Sequence, residues 1–165
     1  MNSDPLSASE FDLPPWFYAD LTATVAHPTL RHVLAHWETL KDGAGLPKAS
    51  RIDPLDLRPH LPDLFMVRVA GDGQEFTYSL IGTRITEILD RDATGRTVAD
   101  TFPADHPIVE IYRLICRRRI PVRTHGQVSW VDKEYKSFES VMMPLTDDEG
   151  TVIKILGAAV YLPAP

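Results

Sequence analysis

Three extended runs near the C-terminal end constrain the fold of this sequence more than any other feature. Residues 121–131, 137–145 and 152–162 are separated only by Asp132-Lys133-Glu134-Tyr135 and by Asp147-Asp148-Glu149-Gly150. Apolar and β-branched runs joined by short acidic and glycine turns indicate an antiparallel meander. A second extended pair precedes them. Residues 64–70 lead into the turn Gly71-Asp72-Gly73, and residues 74–82 alternate, with Phe76, Tyr78 and Leu80 on one face and Glu75, Thr77 and Ser79 on the other. This pair reads as a hairpin.

Helical spacing fills the gaps. Residues 83–89 predict a short helix through Ile85, Ile88 and Leu89, and 97–102 one further helical turn. A longer helix follows, with Asp105 as expected N-cap and Pro107 in its first turn. It carries the stripe Ile108, Ile111, Tyr112 and Ile115, a last turn of Arg117, Arg118 and Arg119, and a stop at Pro121. Ahead of the hairpin, Leu30, Val33, Leu34, Trp37 and Leu40 predict an amphipathic helix over 29–41, bounded by Pro28 and by Gly43 and Gly45. Residues 16–25 suggest a short helix, 1–15 a loose tail, and the proline-rich stretch 46–62 an ordered linker with at most one helical turn. The organisation expected is a tail with a short helix over 1–27 and a single domain over 28–165. It is of α+β class, with one antiparallel sheet and its helices on one side.

Composition narrows the function. Among 165 residues, 17 Lys+Arg stand against 23 Asp+Glu, a net charge of −6. That balance argues against nucleic acid or an anionic membrane as main partner. The single Cys116 excludes an internal disulfide framework and a cysteine-based metal cluster. The N-terminus lacks the basic start and apolar run of a secretory leader, and the most apolar stretch, 153–162, is half the ~20 residues a bilayer needs. A cytoplasmic location is the default expectation.

The local wording resembles a bacterial PAS-like family of stand-alone sensory domains. The stretches that carry the resemblance are Trp37 with Leu40, Leu46-Pro47, Ile52-Asp53-Pro54, Leu61-Pro62, Phe76-Thr77-Tyr78-Ser79-Leu80-Ile81-Gly82-Thr83, Thr94-Gly95-Arg96 and Met143-Pro144-Leu145, within residues 28–162. The family's usual arginine after the Leu-Pro pair is displaced here, with Lys48 in its place and Arg51 further on, so neither receives a role. The resemblance implies a five-stranded antiparallel sheet with short helices on one face and an N-terminal helical extension. It also implies a small-molecule pocket between helices and sheet, sensing of ligand, light or redox state, and dimerisation through N-terminal helices.

Four groups of residues are candidate sites. In the helix–sheet cleft, Ile85, Leu89, Ile111 and Ile115 would face Tyr78, Phe138 and Met142, either around a ligand or as a filled core. On residues 122–131, Arg123, His125, Gln127 and Ser129 share one face and Val122, Thr124, Val128 and Trp130 the other. The first set could hold a carboxylate or phosphate or simply meet solvent, and a one-residue slip in register exchanges the two. His32 and His36, one helical turn apart, could grip a metal, but Val33 stands where a zinc-protease helix carries its glutamate and no third ligand is placed. Cys116 reads as a buried structural thiol.

Flavin photochemistry of the light-sensing PAS type is not expected, because the region between the hairpin and the long helix has no cysteine, and haem on His106 is disfavoured by its expected exposure. The run Arg117–Arg119 is a solvated helix end, and neither Gly71-Asp72-Gly73 nor Thr94-Gly95-Arg96 makes a phosphate loop.

The function expected is a non-enzymatic sensory module that binds a small molecule in the cleft. No output domain is expected after Pro165, and the signal is expected to pass through a homodimer or a partner protein. The stripe Leu30, Val33, Leu34, Trp37 and Leu40 would be the coupling surface, unless it packs on its own sheet. The alternatives are a protein-interaction adaptor with a closed core and no ligand, and an enzyme using His125 with Glu139 as an acid–base pair on adjacent strands.

Overall fold

The computed structural model describes residues 13–128 and 135–163. In chain order these form β1 (Phe17–Asp20), α1 (Pro28–Thr39), β2 (Leu64–Ala70), β3 (Glu75–Ile81), α2 (Thr83–Leu89), α3 (Val98–Thr101), α4 (Ile108–Arg118), β4 (Val122–Gln127), β5 (Tyr135–Thr146) and β6 (Val152–Pro163). All strands join one antiparallel sheet in the order β1-β4-β5-β6-β2-β3. The hairpin β2–β3 thus pairs with the last strand, β6, and the C-terminal meander forms the other half of the platform.

The sheet is covered on both faces. Phe65, Val67, Val69, Phe76, Tyr78, Phe138, Met142, Ile155 and Ala159 pack against α2, α3 and α4. The alternate residues of the same strands, among them Leu64, Met66, Val141, Met143, Leu145, Leu156 and Val160, pack against Leu30, Val33 and Trp37 of α1. Strands buried on both sides explain why residues 152–162 read as a continuous apolar run rather than an alternating one.

The sheet has six strands rather than the five implied by family resemblance. The added strand is β1, where a short helix was expected. Its residues are too few to show a period, and pairing Phe17 with Gly126 and Asp20 with Arg123 decides their conformation. The chain then turns because the Asp20 carboxylate accepts from the Thr22 and Thr24 N–H groups and the Thr22 hydroxyl. The boundary expected at residue 27 therefore cuts through the sheet. The stretch 46–62 holds more helix than expected: a 3₁₀ turn at Ala49–Arg51 and a 3₁₀ segment at Pro54–Asp63, kinked at Leu57. Asp63, buried at its end, receives two hydrogen bonds from Arg84 Nη1, at 2.7 and 2.6 Å, which fasten the segment to α2.

In the hairpin, the register shifts between Met66 and Val67, so that Met66 faces Leu80 while Val67 faces Tyr78. This bulge moves Leu80 onto the α1 face, away from Phe76 and Tyr78 with which it was expected to align. The expected strand 121–131 ends, as far as it is described, at Gln127, and Ser129, Trp130, the turn 132–134 and the tail 1–12 lie outside the described residues. α4 starts after Pro107, and the Ile108 N–H is accepted by Nδ1 of His106 at 3.2 Å, not by Asp105.

Candidate functional site

A cavity lies between the sheet and the α2–α4 layer. Alternation on β5 places Phe138, Ser140 and Met142 on this side, and β1, β4, β6 and β2 add Phe17, Thr124, Ala159, Tyr161 and Phe65. Tyr78 and Ile81 of β3 complete the sheet side. The roof is Ile85 and Leu89 of α2, Ile108 and Tyr112 of α4, and Phe102 and His106 from the link between α3 and α4. The space is narrow, about 50 Å³. Ile81, Leu89, Phe102, His106 and Tyr161 are the half-buried members of its lining.

Half of the lining residues carry rings, His106 included. Phe65 meets Tyr78 edge-on at 6.1 Å, Phe17 and Phe138 lie 5.7 Å apart, and Phe138 is 6.4 Å from Tyr161. The polar groups are few and uncharged. The Thr124 and Ser140 hydroxyls, opposite each other on β4 and β5, share a very short hydrogen bond. The Tyr78 and Tyr112 hydroxyls approach to 3.5 Å. Burial pushes Tyr78, Tyr112 and Tyr161 all above the ordinary tyrosine pKa, so they remain phenols at neutral pH. Burial pushes the His106 imidazole down to about 4, against the opposing pull of Asp105. His106 is therefore neutral. With Nδ1 accepting from Ile108, its proton sits on Nε2. Its ring lies 4.6 Å from Phe102 and 5.8 Å from Phe17, so the expected exposure of His106 does not hold.

Of the residues expected in the cleft, Tyr78, Ile85, Leu89, Phe138 and Met142 line this cavity. Ile111 and Ile115 are fully buried in the same core but do not border it. Arg123, His125 and Gln127 lie elsewhere. The register pairs His125 with Glu139, and Glu139 faces away from the cavity between Phe138 and Ser140, so the three polar side chains share the α1 side of the sheet. There Arg123 Nε meets Glu139 Oε2 at 2.5 Å, and the same carboxylate accepts the N–H groups of Ala26 and His27 at 2.8 and 2.9 Å. Burial alone would raise the Glu139 pKa. The hydrogen bonds from Ala26, Arg123 and His27 overrule it and hold the carboxylate below its usual range. His125 stacks on Tyr18 with ring centroids 5.0 Å apart. Burial first, then Arg123, lowers its pKa against Glu139 and Asp20. The Glu139 carboxylate is thus fully engaged and is not poised as a base for its neighbour.

The expected coupling stripe is consumed within the chain. Leu30, Val33 and Trp37 have no exposed surface, Leu34 packs partly on the same cluster, and Leu40 is a half-buried C-cap. Trp37 Nε1 also donates to the Pro144 carbonyl at 2.9 Å. With α1 docked, this stripe cannot face a second molecule.

His32 pairs not with His36 but with His60 of the 3₁₀ segment, ring centroids 5.4 Å apart. Among the described residues no group of three or more histidine, cysteine or acidic side chains could hold a metal. Cys116 is pushed up to about 11 by burial and remains a thiol. Arg119 leaves the helix in a left-handed C-cap and donates to the Gly150 carbonyl. No helix among the described residues is long and apolar enough to cross a membrane.

Sequence reasoning missed Phe17, Phe65, Ile81, Phe102, His106, Ile108, Tyr112, Thr124, Ser140, Ala159 and Tyr161 as cavity residues. Alternation along β5 and β6 contains Ser140, Ala159 and Tyr161 once one face is fixed. Phe17 carries no such signal, because its strand was not expected.

A helix-roofed antiparallel sheet around an internal cavity places the chain in the α+β class. The PAS domain family matches residues 25–160, and the chain belongs to it. That family is one of sensory signalling modules. Among curated proteins, none matches the sequence. Similar solved structures include a light-oxygen-voltage domain probed with a flavin analogue, at 16% identity and TM-score 0.47, covering 66% of this chain and 82% of that one. The light state of the blue-light photoreceptor Aureochrome1 domain is similar at 10% identity and TM-score 0.44, covering 65% and 86%. An RNA-binding light-oxygen-voltage receptor is similar at 14% identity and TM-score 0.48, covering 74% of this chain and 36% of that protein. Identities this low speak to fold alone.

The expectation against flavin is corrected by this finding, since a flavin analogue serves in one of these similar domains. The space present is well below the ~300 Å³ at which pockets for drug-sized ligands begin, so a tricyclic ring would need its lining displaced.

Proposed function

We propose that this chain is a non-enzymatic sensory module. A small molecule enters the cavity between the sheet and α2–α4, and its occupancy is read by a second copy of the chain or by a partner protein. The observation that carries the reading is a cavity walled by aromatic rings, with neutral hydroxyls and no charged side chain among the described residues. Concave, mostly apolar spaces with a few polar groups are the usual form of small-molecule sites.

A route for the signal runs through β5. Phe138, Ser140 and Met142 face the cavity, while Glu139 between them holds the backbone that leads into α1. A ligand that displaces β5 therefore acts on the anchor of α1 across the sheet.

The test is mass spectrometry of the purified chain under native and denaturing conditions. The sensor reading expects a mass difference equal to one small molecule per chain, or stabilisation by a member of a metabolite panel. The narrowness of the cavity favours the second reading, an adaptor with a closed core. That reading expects neither result.

A further inference from the structure

The chemistry of the cavity wall narrows what can bind there, and this step rests on the small-molecule reading above. Two features decide. First, no Lys, Arg, Asp or Glu among the described residues borders the space, and its only titratable base, His106, is neutral. A charged ligand group would lose its hydration with no countercharge to replace it. Second, the polar groups at Tyr78 and Tyr112 are donors in surplus. Both side chains are almost fully buried, at 4% and 1% exposure. Their two phenol protons share a single contact of 3.5 Å, longer than the ~2.7–2.8 Å of a good O–H···O bond. At least one hydroxyl therefore has a proton to give, and buried donors left unsatisfied are costly.

We propose that the cavity binds an uncharged molecule with a single ring and one hydrogen-bond-accepting oxygen, the oxygen being held by the hydroxyls of Tyr78 and Tyr112. The ring lies against Phe65 and Phe138, and the half-buried Leu89 and Phe102 give way to admit it.

The test is a titration of the full chain, followed at the methyl groups of Ile85 and Met142 by NMR, with three probes of similar size. Acetophenone has a ring and an accepting oxygen, ethylbenzene a ring alone, and benzoate a ring with a charge. Acetophenone is expected to bind about three- to ten-fold tighter than ethylbenzene, the range one hydrogen bond supplies. Benzoate is expected to bind at least about ten-fold weaker than acetophenone, given the cost of burying its charge. Tyr78→Phe and Tyr112→Phe keep the ring and the fold, and either should bring acetophenone within about two-fold of ethylbenzene by removing that bond.

Equal binding of acetophenone and ethylbenzene to the unaltered chain, or a preference that survives in both variants, overturns the oxygen contact. Benzoate binding as tightly as acetophenone overturns the neutral class. Either of these outcomes leaves the cavity itself standing as a site. No methyl response to any of the three probes overturns this proposal, whereas the small-molecule reading stands or falls on native mass spectrometry and the metabolite panel.

Discussion

Arg123 on β4 reaches diagonally across the sheet to Glu139 on β5 and places its Nε 2.5 Å from Oε2 of that carboxylate. Both side chains are largely buried, at 18% and 7% exposure. The carboxylate spends its remaining capacity on the N–H groups of Ala26 and His27, the two residues that precede α1. His27 in turn caps α1, its Nδ1 accepting from Thr29 N–H at 3.1 Å. One carboxylate thus joins a strand that walls the cavity to the start of the helix on the opposite face.

Removing that charge should be costly. Glu139→Gln leaves Arg123 without its counterion in a buried position, and a broken buried pair costs about 3–5 kcal/mol. Urea unfolding at neutral pH should show a loss of that order. The pH dependence has a definite sign. The Glu139 pKa is depressed in the folded state, so its contribution is present above the ordinary glutamate value of 4.5 and is lost as pH falls through the lower folded value. The stability gap between the native chain and the Gln variant should therefore shrink below about pH 4.5. A gap that does not change with pH would show that ionised Glu139 is not its source.

Trp37 is the largest side chain in the α1 interface with no exposed surface, and its indole N–H satisfies a buried carbonyl, that of Pro144. Trp37→Phe keeps most of the apolar contact but strands that carbonyl, for a loss of about 1–3 kcal/mol. Trp37→Ala also opens a cavity and should cost about 3–5 kcal/mol. Chemical denaturation of the two variants measures both, and equal losses would mean that the hydrogen bond, not the packing, holds α1 down.

Gly157 of β6 lies opposite Phe65 of β2, and a Cβ built there overlaps the Phe65 ring. Gly157→Ala must push that ring aside. Phe65 lines the cavity, so the substitution should lower stability by about 1–3 kcal/mol, as overpacking does, and weaken probe binding as well. Thermal unfolding with and without acetophenone reads both effects. Unchanged binding would place the ligand away from Phe65.

Leu89 lines the cavity and is half-buried. Leu89→Trp should fill the space and cut acetophenone binding about ten-fold or more, because a site this narrow has no volume to share, while the overpacking cost stays near 1–3 kcal/mol. The corresponding change at Ile115, which is fully buried and off the cavity, should disrupt folding instead. A Leu89→Trp chain that binds as well as the unaltered one would place the ligand away from Leu89.

Much of the architecture was legible because period and punctuation agreed. The stripe Ile108, Ile111, Tyr112 and Ile115 and the turn Asp147–Gly150 each permit one reading. β1 was not legible: its four residues are a strand only because β4 offers an edge, a long-range cause that a local pattern does not carry. The bulge beside Met66 is another such case, since the residue pattern around Leu80 alternates without interruption. The candidate site was half legible. Tyr78, Ile85 and Phe138 follow from helical and strand spacing. Which face of β4 meets the cavity depends on register, and the structure puts Thr124 there and Arg123 behind. The α1 stripe was read correctly as buried against something, and its partner is the chain's own sheet.

In the proposed sensor, occupancy of the cavity is felt across β5 at the anchor of α1. Hydrogen exchange resolved to single amides, with and without saturating acetophenone, tests it most directly. Altered protection is expected at the Ala26 and His27 amides, which are bonded to Glu139, together with added protection in β5. Protection confined to the cavity wall, with Ala26 and His27 unchanged, would contradict it.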